Sequence, residues 1–449
     1  VHKTKKIRKS RESLMRRWRA VLGAGCVAWA GVAVGADDLG LDDLLDVAKP
    51  AESGSAVQGF AEFSAARAYE SPSHWSKLRA RLNLQGSGRL SEQVKWKLSG
   101  RFDADAAPDI ESDVYPAAVR RDRRSEAMIR EAYLDISAGD WDYRLGRQHV
   151  VWGEMVGLFF ADVVSARDTR EFFLPEFDQM RIPQWAARAE YFGAGWHGEL
   201  LWIPFPSVDN IGKPGGDFYP FVAPEGTRFA GEDRPDQRLG NMNWGARLSA
   251  LIDGWDVSGF FYRSTDVAPT FYRVGTAPLT YEARHDRINQ IGATFSKDLG
   301  FAVLKGEAVH TSGRKFNTSD AAAPFGLVSS DTLDYVIGLD VPLASVWRVN
   351  TQYYARTHFD HPDGMVWDKH EQGATLLVNR EFGDKFEAEV LWAASLSGGG
   401  YMLRPKVVWQ MDANWRGMAG LDVFGGPANG MFGRFDRSDR AYVEVRRMF

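Results

Sequence analysis

The chain has 449 residues, 44% hydrophobic and 25% charged, the balance of a globular protein. Its near-neutral charge of −4 hides an asymmetry: residues 1–36 hold nine Lys/Arg and one acid, and the rest carries 46 basic and 58 acidic side chains, a net −12 that excludes a nucleic-acid partner. The only cysteine, Cys26, lies in that leader, which excludes disulfides and thiol chemistry from the remainder.

Residues 1–36 read as a signal peptide: basic n-region, apolar h-region, and small residues Val34 and Ala36 at the cut, with Met15 as an alternative start. The competing reading, a membrane anchor, needs a longer apolar run than Ala20 to Ala36. Residues 37–56 form a short periplasmic segment, too short for an N-terminal plug domain. From residue 57 onward, alternation with period two dominates. "KLRARLNLQ" sets Leu78, Ala80, Leu82 and Leu84 against Arg79, Arg81, Asn83 and Gln85, and "QVKWKLSGRF" and "KFEAEVLWA" do the same. With 13% aromatics and 45 Gly, this composition fits an all-β protein.

Alternation predicts strands at 57–69, 77–88, 92–104, 127–138, 141–149, 184–192, 196–204, 243–251, 255–264, 282–297, 301–312, 332–341, 345–357, 370–381, 385–396, 400–411, 416–424 and 439–449. Strands 127–138 and 301–312 alternate poorly, and Pro405 interrupts another. Short and long connections take turns along the chain, as in a transmembrane antiparallel up-and-down β-barrel with short periplasmic turns and long outer loops. The count is eighteen, with sixteen as the alternative, and residues 57–449 form this barrel in the outer membrane of a Gram-negative cell. Trp141, Trp196, Trp255, Trp347 and Trp415 sit at or beside short turns, the pattern of an interfacial girdle rather than of scattered core tryptophans.

In such a barrel the polar face lines the lumen. Arg79, Arg81, Lys95, Lys97 and Arg101 are then a basic wall, with Glu387 and Glu389 in an acidic stretch elsewhere. Opposed walls orient polar solutes; simple cross-strand pairing is the plainer role. The stretch 144–174, "RLGRQHVVWGEMVGLFFADVVSARDTREFFL", breaks the alternation. Its paired apolar residues and clustered charges predict a loop-helix element folded inward, because a free outer loop would not expose so much apolar surface. Arg147 ends a strand near the lumen. Glu154, Asp162 and Asp168 pair with Arg167 and Arg170 to pin the segment, since buried charges need partners. A fixed plug without ligand contact is the plainer outcome.

"LGRQHVVWGE" followed by "ADVVSARDTREF" resembles the signature of an uncharacterised family of proteobacterial outer-membrane β-barrel proteins. By motif position Arg147, Gln148, Trp152, Gly153, Glu154, Asp162, Arg167, Asp168, Arg170 and Glu171 match it, which makes them the candidate constriction or plug. The resemblance implies hydrophobic substrates such as lipids or steroids, and as partners an RND-type transporter or a periplasmic lipoprotein.

The loop 205–242 is rich in Pro and Gly and carries Phe205, Phe218, Tyr219, Phe221 and Phe229, the makings of a hydrophobic mouth or a cap. Its "KPGG" lacks the companions of a phosphate loop. The histidines are dispersed, "HFDH" at His358–His361 fits no standard metal site, and no Gly-x-Ser-x-Gly elbow occurs, so no enzyme, metal or cofactor is expected. The last strand, "RAYVEVRRMF", ends on Phe449, the aromatic expected of the signal read by the barrel assembly machinery, with Arg447 on the lipid-facing register. The expected function is a transport barrel for a small hydrophobic or amphipathic molecule, constricted by residues 150–182. A general diffusion porin and a scaffold barrel in an envelope complex are the alternatives.

Overall fold

The computed structural model describes residues 57–449 apart from 154, 156–159, 222 and 237. The expected signal peptide and the segment 37–56 lie outside the described residues, as does Glu154. Eighteen strands form one sheet: β1 (Gln58–Ala68), β2 (His74–Arg89), β3 (Val94–Asp105), β4 (Ser125–Ala138), β5 (Trp141–Gln148), β6 (Gln184–Gly193), β7 (Trp196–Phe205), β8 (Asn243–Ile252) and β9 (Trp255–Thr265). They continue as β10 (Arg287–Asp298), β11 (Val303–Ser312), β12 (Thr332–Leu343), β13 (Trp347–His358), β14 (His370–Phe382), β15 (Phe386–Ser395), β16 (Tyr401–Gln410), β17 (Trp415–Gly425) and β18 (Arg440–Met448). Each pairs antiparallel with its chain neighbours, and β18 returns to β1 with Phe63 opposite Val445, which closes the barrel. Every predicted strand overlaps one of these, and the closed ring of eighteen sets aside the count of sixteen.

The turns on one rim span two to four residues, such as 139–140, 194–195 and 90–93, while loops such as 149–183 and 206–242 leave the other rim. That asymmetry marks the short-turn rim as periplasmic. Polarity is inverted relative to a water-soluble fold. On β1, Glu62 is 4% exposed beside Phe63 at 53%; on β3, Arg101 is 4% exposed beside Phe102 at 49%. An outer face of this kind suits hydrocarbon, and closure leaves no unpaired sheet edge within it. Trp141, Trp196, Trp255, Trp347 and Trp415 are the first residues of β5, β7, β9, β13 and β17, all outward and exposed, so one ring of indoles marks the periplasmic interface. Arg447 shares that level, its guanidinium 5.6 Å from the Trp415 ring, an arrangement that keeps its charge at the interface.

The irregular strands have local causes. On β4 the pairing with β3 passes from Ser99–Glu131 to Gly100–Ile129, so Arg130 is an extra residue. A bulge reverses the side-chain phase: Arg130 and Glu131 both turn inward, which is why the sequence alternates poorly there. On β16, Pro405 pairs with Val390 of β15 but lies where the pairing with β17 lapses, between Leu403–Val423 and Lys406–Gly420. Its missing N–H is thereby harmless. The predicted strand 282–297 merges two elements: Leu279–Arg284 is the centre of a three-stranded outer sheet with Arg228–Asp233 and Thr270–Thr276, and the barrel strand starts only at Arg287. The outer sheet rests on a cluster of Phe221, Phe271, Tyr281 and Ala283, with Tyr219 and Phe229 packed against it.

The main hydrophobic core lies inside the barrel, between the wall and the inward segment. Trp152, Phe160, Val164, Phe172, Phe173 and Met180 of that segment pack against wall residues including Phe260, Tyr262, Val309 and Phe424. Its structure is a loop braced by a two-residue ladder, Ala166–Arg167 against Arg181–Ile182, and a single helical turn, Phe177–Met180.

Candidate functional site

The inward segment crosses the lumen and is held on both sides. On the β7–β11 side, the Trp152 indole N–H donates to Glu199 Oε1 at 2.9 Å, and its ring lies 5.3 Å from Phe260 and 5.6 Å from Tyr262. Glu307 of β11, 3% exposed, accepts from the backbone N–H groups of Met155 (3.0 Å), Phe160 (2.7 Å) and Ala161 (2.8 Å). A carboxylate that accepts three backbone N–H bonds is a strong, geometrically demanding anchor.

On the opposite side the bonds are ionic. Glu171 pairs with Lys77 and, at 2.8 Å, with Arg79 on β2, and with Arg440 on β18 at 3.0 Å. Glu176 pairs with Arg446 at 2.9 Å and Arg416 at 3.7 Å. Gln179 accepts from Arg101 through its carbonyl at 2.8 Å and from Arg81 through its side chain at 3.3 Å. Arg130, turned inward by its bulge, donates to the carbonyls of Arg181 (2.6 Å) and Asp178. Arg404 of β16 donates to the Leu174 carbonyl at 2.8 Å.

The segment separates two kinds of space. Toward the outside, Phe172 and Phe173 with Ile211, Phe218, Pro269 and Phe435 line an apolar chamber, with Arg167 and Asp209 in its lining. Across the segment, Leu174, Pro175 and Glu176 cover a charged cavity against β1, β2 and β15–β18. A second charged cavity lies toward β2–β4, and Pro175 and Gln179 line both charged spaces. Between the two faces the backbone turns at Phe172, whose φ of 55° is left-handed, a costly conformation for a bulky residue.

Residues 76–434 match the model of a family described as "Protein of unknown function (DUF1302)". The chain belongs to the DUF1302 family. No curated protein sequence matches it. Among solved structures, this DUF1302 barrel is similar to Pseudomonas aeruginosa OccK9 (OpdG), at 12% identity and a TM-score of 0.50 over 88% of this chain and 97% of that one. It is also similar to P. aeruginosa OccK2 (OpdF) in complex with glucuronate (9%, 0.49, 88% and 98%) and to Salmonella typhi OmpF in complex with daunomycin (10%, 0.45, 88% and 97%). The likeness concerns the fold, a closed antiparallel barrel of outer-membrane porin architecture.

Within the DUF1302 barrel most of the motif residues converge. Asp162 is buried between Arg167 at 3.6 Å and Arg181 at 3.3 Å, and Asp168 pairs with Arg170, which also reaches Glu126 of β4. Gln148, fully buried, donates to the Ala186 carbonyl at 3.0 Å and fixes the point where β5 gives way to the segment. Burial opposes ionisation of Glu171, but Lys77, Arg79 and Arg440 outweigh it and hold the carboxyl well below the usual range. Asp168 is likewise lowered: burial is outweighed by Arg170. Burial pushes Asp209 up to about 6 despite the nearby Arg167.

Arg147 is not brought to this cluster. It shares the outward register of Leu145 and Trp141, opposite Trp185, and its Nε donates to the Ile129 carbonyl at 2.7 Å. The basic wall is present on β2 and β3 but is neutralised. Arg81 is bidentate to Asp103 (2.7 and 2.9 Å), Arg79 faces Glu62 and Glu171, Arg101 meets Asp103 at 3.2 Å, and Lys97 pairs with Glu131 at 2.9 Å. Lys95, lower on β3, is exposed. Glu389 faces Lys406 at 3.4 Å, so acids and bases interleave around the lumen rather than forming opposed walls. Glu199, Glu307 and Arg130 are the anchors that strand periodicity did not single out.

Proposed function

We propose that the protein is an outer-membrane channel whose lumen is constricted by the segment 150–182, and that its passenger is a small hydrophobic or amphipathic molecule. The observation that carries the reading is the division of the lumen by Glu171–Glu176 into an apolar outer chamber and a charged inner cavity. An apolar body is desolvated among Phe172, Phe218 and Phe435, then passes the constriction when the ionic contacts of Glu171 and Glu176 release. Deleting residues 155–175 is expected to raise single-channel conductance several-fold in planar bilayers; unchanged conductance overturns the reading.

A general diffusion porin is the second reading, favoured by the charge lining the inner cavity. Proteoliposomes that swell rapidly in unrelated sugars would support it; a scaffold barrel would show no solute flux and a stoichiometric periplasmic partner. The proposed route to the outer membrane is a signal peptide over residues 1–36. Phe449 pairs with Gly59 through both backbone groups at 2.9 and 3.0 Å, and its ring is exposed. The signature also proposes an RND-type transporter or periplasmic lipoprotein as partner, which co-purification tests.

A further inference from the structure

Three arginines in the inner cavity use only part of their hydrogen-bonding capacity on the wall. Arg446 directs one nitrogen, Nη2, at Glu62 (2.9 Å), Glu176 (2.9 Å) and Glu444 (3.2 Å), while its Nε and Nη1 have no hydrogen-bond partner among the described residues. Arg440 spends Nε on Asp422 (2.8 Å) and Nη2 on Glu171 (3.0 Å) and leaves Nη1 without one. Arg79 spends Nη1 and Nη2 on Glu171 and Glu62 and leaves Nε without one. The Tyr442 hydroxyl, on the inward register of β18 between Arg440 and Arg446, also has no hydrogen-bond partner among the described residues. All four residues line the same cavity.

A buried donor left without a partner is costly, and several gathered in one place are out of the ordinary. Two of the cavity's acids are already engaged. Glu62 is taken by Arg446 and Arg79, and Asp422 by Arg404 and Arg440. The seven Lys/Arg side chains of the lining meet its five carboxylates together with Glu171 and Asp103, so spare donors rather than net charge distinguish the cavity. Spare guanidinium N–H groups match the lone pairs of a planar or tetrahedral oxyanion. Leu174, Leu391, Met418 and Val443 line the same space and offer contact to an apolar body.

We infer that this inner cavity is a binding site for the anionic head, a carboxylate or phosphate monoester, of a small amphipathic passenger. The inference deepens the channel reading and rests on it for the direction of passage, though not for binding. The probes are hexanoate, hexyl phosphate and hexylammonium, titrated calorimetrically into the detergent-solubilised full-length barrel. Hexanoate or hexyl phosphate is expected to bind and hexylammonium to give no saturable heat, the tighter of the two anions naming the head. Arg446→Gln is expected to weaken anion binding about tenfold or more, the effect of losing charge-assisted hydrogen bonds.

Because Arg446→Gln also strips a partner from Glu62 and Glu176, Tyr442→Phe is the second variant. It disturbs no ion pair and is expected to weaken binding about threefold or more, the cost of one hydrogen bond, with the heat-dependent gel mobility of the folded barrel unchanged. Equal binding of hexylammonium and the anions, or anion binding unmoved by either variant, overturns the inference. A barrel whose conductance rises on deletion of 155–175 but which ignores head-group charge sinks this inference alone. One that binds the anions as expected, with conductance indifferent to the deletion, sinks the channel reading alone.

Discussion

The inward segment is held at two ends by opposite divisions of labour. At residues 155–161 the wall supplies the acceptor, Glu307, and the segment supplies only backbone N–H groups. At residues 168–176 the segment supplies the charges, Glu171 and Glu176, and the wall supplies Lys77, Arg79, Arg440, Arg416 and Arg446. The first anchor is indifferent to the side chains of the segment; the second depends on them. Under the proposed channel function, the first would serve as a hinge and the second as a latch.

The largest effect is expected at the hinge. Glu307→Ala leaves three buried N–H groups without their acceptor, a loss of about 3 kcal/mol or more. The barrel should keep its heat-dependent gel mobility while residues 155–161 become sites of limited proteolysis. A protected segment in that variant would erase the distinction between hinge and latch.

At the latch, Glu171→Gln leaves Lys77, Arg79 and Arg440 without their shared counter-charge, a local cost of about 3 kcal/mol for a buried network. Open-channel events should become more frequent, with proteolysis at 155–161 unchanged. The same carboxylate gives the latch a pH dependence. Its pKa is held below the ordinary value, so its contribution is present above the ordinary carboxylate range and is lost as pH falls through the lowered value. Acidification should therefore open the wild type progressively and leave Glu171→Gln nearly flat; parallel profiles would remove Glu171 from the latch.

A smaller effect is expected for Trp152→Phe, which keeps the ring against Phe260 and Tyr262 but removes the hydrogen bond to Glu199, about 1–2 kcal/mol. Faster cleavage at 155–161 without a change in open-channel events would assign Trp152 to the hinge. Smallest is Arg147→Gln on the lipid side, within about 0.5 kcal/mol and without effect on current. A gating change there would mean that the outer face of β5 communicates with the segment.

This asymmetry also explains what the sequence discloses. The strands are legible because each buries a charged face and exposes an apolar one, and Trp141, Trp196 and Trp255 mark the rim. The latch is legible because Asp168, Arg170 and Glu171 stand out in a segment otherwise rich in Phe and Val. The hinge is hidden. Glu307 lies in a strand whose alternation is weak, and its partners are backbone groups that carry no sequence signal. Arg130 is hidden for another reason: only the bulge opposite Ser99 and Gly100 turns it toward the segment. Arg147 shows the converse error, where motif membership suggests the lumen and the register of β5 places the side chain outside.

The most direct test of the constriction is a single cysteine at Pro175, which lines both charged cavities, in a Cys26→Ser background. Modification of Pro175→Cys with a bulky, charged thiosulfonate during a planar-bilayer recording is predicted to cut the open-channel current in discrete, irreversible steps. Full modification, verified by mass spectrometry, with no change in current would place the conducting path elsewhere and contradict the account.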